Sequence, residues 1–323
     1  SISQCRKTEI YSWQENKILK SWLDIDEILE SEKDIEYVPV ENVNNLPVEI
    51  KKILPEKINK NGTIVSWKNL DFTKWKTAEG LFNNVENEIG RMYRYFINDG
   101  SVKIKFKYFK KNGGNFTLIE EQIVRPNDPL YHMENSTCPK PWDKKAGFAV
   151  AETDKVSVNI KGKKRDILLK FGIAKEEFRG LEEAGGGKPH GKHALKNNGV
   201  SFIRSGRELE LNRSWNNPSD SRWRWVNAEI HFDGDEDMDN FLKVPTNKQG
   251  ADNLYYRDIK KLCEEKNLTE PKYMTYLQDT DQEEYVATII SIKIKNRLSE
   301  MVAAIREWRA GTGPKKPIGG SAE

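Results

Sequence analysis

The residues best placed to do chemistry are few. Val244-Pro245-Thr246-Asn247-Lys248-Gln249 follows a short helical stretch at Asp237–Leu242 and sets Lys248 in a polar loop. A lysine on a loop tip can reach out of its own domain and present a compact point charge to a phosphate. Taken alone, one loop lysine specifies nothing, since exposed lysines are common. Gly185-Gly186-Gly187-Lys188-Pro189-His190-Gly191-Lys192-His193 invites comparison with a phosphate loop. That loop needs a preceding strand and a Gly-Lys-Ser/Thr ending. Here no strand precedes the run and His193 stands where the hydroxyl belongs, so it reads as a mobile Gly-, His- and Lys-rich excursion over residues 185 to 198. His190 and His193 have no Cys or carboxylate at ligand spacing, which argues against structural zinc.

Asp233-Gly234-Asp235-Glu236-Asp237-Met238-Asp239 opens like a calcium loop, but Met238 and Val244 occupy the positions that require Gly and Glu. It reads instead as a solvated acidic turn capping the next helix. Arg222-Trp223-Arg224-Trp225 could stack on bases. As part of a strand at Trp223–Phe232 it would turn both indoles to one face and both guanidinium groups to the other, a core strand with one wet side. Four histidines offer no nucleophile–base arrangement from spacing alone.

The elements that must position these residues follow from composition and periodicity. The chain has 323 residues, 37% hydrophobic and 10% aromatic, enough for a real core and for more than one domain. Its 53 Lys+Arg against 50 Asp+Glu leave a net charge of +3, which excludes a global polycation but not local basic patches. No apolar run approaches the roughly 18 residues of a membrane span. The amino terminus lacks an apolar leader core, and Cys5, Cys138 and Cys263 lie far apart without a CxxC pair, as expected in a reducing cytoplasm.

Strands are expected at Thr8–Trp13, Ile18–Leu29 and Gly62–Trp67, with a Pro-punctuated connection from Glu30 to Lys60. Leu81, Val85, Ile89, Met92 and Phe96 recur at helical spacing, with Thr77 as N-cap. Val102–Phe106 and Phe116–Val124 read as a hairpin around Lys110–Gly114, and Arg125–Gly147 as a long loop. Val156–Ile160 and Asp166–Phe171 read as paired strands, and Gly199–Leu211 as one strand. From Gln282 to Trp308 a helix places Ile294, Leu298, Met301, Ile305 and Trp308 on a two-heptad seam.

Taken together, several segments resemble the GHKL ATPases, the Bergerat-fold superfamily of DNA gyrase B, MutL, histidine kinases and heat-shock chaperones. The similarity is greatest to bacterial histidine kinase-, gyrase B- and heat-shock-chaperone-like ATP-binding proteins. Ser1-Ile2-Ser3-Gln4-Cys5-Arg6 is similar to the stretch after that group's glycine-rich lid, and Leu23–Ile28 continues it. Gly62-Thr63 on its strand, with Leu70-Asp71 beyond, resembles the last ATPase-domain motif, whose Thr helps hold the adenine edge. Glu88–Ile97 resembles the first transducer helix; Gly199–Glu208 and Thr246-Asn247-Lys248-Gln249 are the most telling matches. The resemblance implies that Lys248 reaches back to the γ-phosphate, with Asn247, Gln249, Gly62 and Thr63 around the nucleotide.

It further implies an α/β (α+β) architecture: residues 1–72 end a Bergerat ATPase sheet, 73–277 form a transducer-like mixed domain, and 278–323 a helical tail with a frayed end. The family's general-base Glu, its magnesium-binding Asn, its adenine loop and its lid map nowhere in this chain and are expected upstream. The chain alone is therefore expected to be inactive, with ATP and Mg²⁺ bound by a longer protein. The resemblance also implies nucleotide-linked homodimerisation, through the ATPase and transducer parts or the C-terminal helix, and a setting in DNA restriction or phage defence. Two other classes stand beside it: a nucleic-acid-binding scaffold gripping through Lys110-Lys111, Lys161–Arg165 and Lys188–Lys196, and a structural segment whose heptad seam meets a partner helix.

Overall fold

A computed structural model describes residues 4–15, 17–31, 40–54, 59–71, 74–150, 153–180 and 185–309. In chain order the elements are β1 (Cys5–Gln14), β2 (Lys17–Asp24), α1 (Ile25–Ser31), β3 (Val40–Val43), α2 (Val48–Ile53) and β4 (Asn61–Leu70). Then come α3 (Ala78–Met92), α4 (Arg94–Asn98), β5 (Lys105–Asn112), β6 (Asn115–Ile123), β7 (Phe148–Val150), β8 (Asp154–Ile160) and β9 (Lys163–Ala174). The remainder are α5 (Glu176–Arg179), α6 (Pro189–Lys196), β10 (Val200–Arg204), β11 (Arg207–Asn212), β12 (Val226–Phe232), α7 (Glu236–Phe241), α8 (Ile259–Lys266), α9 (Glu270–Thr280) and α10 (Gln282–Arg309). The fold is of the mixed α+β kind, ending in a long helix. Its residues divide into two compact units, 1–84 with 105–122, and 85–104 with 123–323.

The first unit carries an antiparallel sheet in the order β3-β2-β1-β4. Alternation along β1 buries Glu9 and Tyr11 and exposes Ile10 and Ser12. The buried Glu9 carboxylate is answered by Lys68 Nζ at 2.6 Å and by the Tyr11 hydroxyl at 3.2 Å. The β5–β6 hairpin turns at Gly113, where φ is 59°. It is tied to the same unit by Lys52 Nζ donating to the Gly114 carbonyl at 2.6 Å and by Phe82 against Phe106.

The second unit is built on a sheet ordered β11-β10-β12-β9-β7, with β8 also paired to β9. Only β10 and β12 run parallel among the pairings of this sheet. Two-residue turns close its hairpins: Lys161-Gly162 and Ser205-Gly206 all have positive φ, the backbone a right-twisted hairpin favours. One face is apolar. Val200, Phe202, Ala228, Ile230, Leu169 and Phe171 pack in one core with Ile290, Ile294, Leu298, Met301 and Ile305 of α10. The opposite face is polar and carries Ser201, Glu208, Asn227, Glu229 and His231.

Several sequence expectations are corrected. The second strand stops at Asp24, whose carboxylate accepts the Asp26 amide at 3.0 Å and starts α1 where an extended run to Leu29 is expected. The 30–60 connection contains β3 and α2. Thr77 does cap α3, accepting the Gly80 amide at 3.1 Å, but that helix ends at Met92 and α4 begins after Tyr93. The Val102 amide donates back to the Phe96 carbonyl at 2.9 Å, so strand pairing starts only at Lys105.

The Gly-rich excursion contains helix α6, with Pro189 in its first turn. A Cβ at Gly191 would sit 2.1 Å from the Gly185 carbonyl oxygen, so this glycine serves close backbone packing rather than flexibility. Gly199–Leu211 is a hairpin rather than one strand, and Ser221–Trp225 is a 3-10 turn ahead of β12. The heptad seam does not face a partner: Ile294, Leu298, Met301 and Ile305 are all buried in the chain's own core. In this fold the seam is therefore filled by the chain's own core rather than left open to a partner helix. The Trp308 side chain lies outside the described residues.

Candidate functional site

Lys248 sits in the second unit. Its loop is shaped locally: the Lys248 amide donates to the Pro245 carbonyl at 2.9 Å, and the Asn247 side chain accepts the Gln249 amide at 3.1 Å. Lys248 itself takes a positive φ of 54°. Its side chain is one-third exposed, and the ammonium rests on Asp239, Nζ to Oδ2 at 2.7 Å. Asp239 lies in α7, which Asp235 caps by accepting the Met238 amide at 3.0 Å, as the acidic-turn reading expects.

The same carboxylate is held from β10. Arg204 Nε donates to Oδ1 at 2.7 Å and Nη2 to Oδ2 at 2.9 Å, and Nη2 also donates to the Gly234 carbonyl at 2.8 Å. Burial works to raise the Asp239 pKa, but hydrogen bonds from Arg204 and Lys248 outweigh it and leave the group below the ordinary carboxylate range.

Gly62 and Thr63 belong to the first unit, on β4 opposite Trp13 and Ser12. A Cβ at Gly62 would meet the Trp13 ring at 2.3 Å, so the indole occupies the space the glycine leaves. Thr63 Oγ1 lies 3.2 Å from Ser12 Oγ on the exposed side of the strand. Ser12, Gln14, Lys17, Leu19 and Asn61 join these residues around an open groove of about 770 Å³. The Thr63 hydroxyl is therefore available to a polar ligand, whereas Gly62 serves the packing of Trp13.

A buried charge cluster lies on the polar face of the second unit's sheet, and the sequence expectations give none of its residues a chemical role. Arg94 is fully buried and donates to Glu208 Oε2 and Glu229 Oε1, both at 2.6 Å. Arg91 Nε meets Glu208 Oε1 at 2.6 Å. The Tyr95 hydroxyl donates to Glu229, and His231 Nε2 lies 2.7 Å from Glu229 Oε2. Burial pushes the Glu229 pKa up, yet Arg94 and the hydrogen bonds pull it well below the ordinary range. Alternation of Asn227, Glu229 and His231 in β12 marks a polar face; nothing in that alternation shows that helices cover it.

The other candidate residues enter the core or find partners. His190 Nε2 meets the Phe178 carbonyl at 2.9 Å; His193 lies between the Tyr131 hydroxyl at 2.9 Å and Thr137 Oγ1 at 3.2 Å. Burial lowers the His193 pKa to about 4, which leaves it neutral. Trp223 and Trp225 are buried while Arg222 and Arg224 stay part-exposed, as the core reading expects, but the four residues form a 3-10 turn rather than a strand. Among the basic loops, Lys111 pairs with Glu49, Lys161 with Asp237 and Arg165 with Asp235, at 2.6, 2.6 and 2.9 Å.

No family model matches the sequence, and no curated protein matches it. Among solved structures, the ATPase domain of Thermus thermophilus gyrase B in complex with an aminocoumarin is similar over 95% of this chain and 72% of its own, at 8% identity and a TM-score of 0.30. The gyrase B-subunit from Myxococcus xanthus covers 94% and 72%, at 7% identity and a TM-score of 0.34. The topoisomerase IV ATP-binding domain of Francisella tularensis covers 95% and 70%, at 10% identity and 0.32. At such scores the likeness by itself establishes neither a family nor an activity. Among the described residues no helix is long and apolar enough to cross a membrane.

Proposed function

We propose that this chain is the nucleotide-responsive part of an ATP-binding and ATP-hydrolysing GHKL-type protein. In this reading Thr63 belongs to the adenine-edge motif and Lys248 is the cation that answers a terminal phosphate. Asn247 and Gln249 shape the loop that presents it. The observation that supports the reading is the placement of Lys248: a part-exposed side chain on a turn, in a loop whose residues Thr246–Gln249 resemble the family's motif.

A fixed cation at a phosphoryl group stabilises the charge that spreads onto its oxygens as the bond to the leaving group breaks. Magnesium would enter with the triphosphate and supply further charge neutralisation; this chain contributes Lys248 to that task and no assigned metal ligand. The loop's change of partner would then convert nucleotide state into domain motion or dimerisation. DNA restriction or phage defence is the process we propose it serves.

Calorimetric titration with ATP and Mg²⁺, on this chain and on the full-length gene product, tests the reading. Binding by the full-length product is expected, with Thr63→Val weakening it. Lys248→Ala should lower ATP turnover about a hundred-fold, the scale seen when one transition-state charge donor is removed. Turnover that survives Lys248→Ala unchanged would sink the assignment.

A further inference from the structure

The reading above leaves open what Lys248 does when no phosphate is present, and the geometry of Asp239 answers it. We propose that Asp239 is the resting partner of Lys248, an internal carboxylate latch that holds the loop ammonium until a more highly charged anion draws it away. The inference rests on Lys248 being the phosphate-sensing residue.

Three features make this contact releasable where an ordinary buried ion pair is not. First, breaking a buried pair is expensive because it strands a charge. Asp239 would not be stranded, since Arg204 engages both of its oxygens at 2.7 and 2.9 Å and stays when Lys248 leaves. Arg204 is itself anchored to the Gly234 carbonyl at 2.8 Å. Second, Lys248 is one-third exposed whereas Asp239 is 8% exposed, so the departing ammonium regains water while the carboxylate keeps its neutralising fork. Third, two cations share one carboxylate, so the trio has one positive charge in excess. A phosphate group bearing nearly two negative charges is a stronger partner for the ammonium than a carboxylate already paired to arginine. Arg204 is the fixed member, Lys248 the movable one, and Asp239 a positioning residue for it.

The direct test is amine acylation of Lys248, read by mass spectrometry on the full-length gene product, because an ammonium held on a carboxylate reacts slowly. Without nucleotide, Asp239→Asn should speed Lys248 labelling about five-fold, the scale of a partly exposed pair. Asp237→Asn removes the same charge two residues away, where it pairs with Lys161 at 2.6 Å, and should leave Lys248 unchanged. Equal effects of the two variants, or no effect of Asp239→Asn, overturn the latch.

If Asp239→Asn fails to fold, the unsubstituted protein serves. Labelling of Lys248 relative to exposed Lys260 should rise between low and high salt, because screening weakens the pair. A ratio that salt does not move means burial alone slows Lys248, and the latch is wrong. Where Asp239→Asn does fold, adding ATP with Mg²⁺ to it separates the two ideas. Slower labelling supports both; unchanged labelling retains the latch and refutes the phosphate-sensing role of Lys248.

Discussion

The buried guanidinium of Arg94 is shared among several carboxylates. Arg94 has no exposed surface, yet Glu208 and Glu229 both accept from it, and Asp128 lies 3.9 Å from its Nε. Two titrating residues should make stability depend on pH in separate windows. The His193 pKa is about 4 in the folded chain, below the roughly 6.5 of an unfolded histidine. On acidification the unfolded chain takes that proton first, so stability falls from about pH 6.5 to about pH 4, by about 3 kcal/mol in all. Glu229, held low by Arg94, adds its loss only below the unfolded carboxylate pKa of about 4.3. Urea unfolding at pH 7, 5.5 and 4 should show the upper window, and His193→Asn should flatten it. A slope unchanged in His193→Asn assigns the dependence elsewhere.

At the scale of elements, periodic segments were legible and glycine-rich or polar ones were not. The spacing of Leu81, Val85 and Ile89 marks α3 because apolar residues repeat with the helical turn. The helix α6 escapes such reading, since Gly191 and His190 are buried by backbone approach and hydrogen bonding rather than by an apolar stripe. Residues Lys248, Gly62 and Thr63 could be singled out by motif. Arg204 and Asp239 lie in segments the sequence also marks, but their pairing could not be read, because no local pattern links a strand end to a helix some 35 positions later. The seam of α10 was visible as periodicity, but periodicity does not say whose core it fills. Leu298 is fully buried inside this chain, so Leu298→Ala should destabilise the second unit by about 3 kcal/mol. Leu298→Asp should prevent its folding outright. Thermal melts would check this, and a variant that melts normally while its sedimentation changes would return the seam to an intermolecular role.

The whole chain divides into units that do not follow one another along the sequence: residues 105–122 belong to the first unit, while 85–104 on their amino-terminal side belong to the second. Sequence reading divides the chain linearly because composition and turn signals are read in order; long-range pairing is not written in any local window. The antiparallel and parallel neighbours of β12 illustrate this, since β9 and β10 flank it in space but not in sequence.

The packing of α10 against the second sheet bears on how the chain is made. Strands β7 to β12 leave the ribosome long before the helix that covers their apolar face, so Phe202, Ile230 and Leu169 must wait, uncovered, for residues near 290 to 305. Folding of this unit is therefore expected to finish only once α10 has been made. A chain stopped at Asp281 should be cleaved rapidly within the second unit by a dilute protease, whereas the chain carrying α10 resists; equal resistance would mean the sheet folds without its lid. Translation speed through the codons of α10, rather than the strength of any one contact, would then set how long that face is open to chaperones and to aggregation.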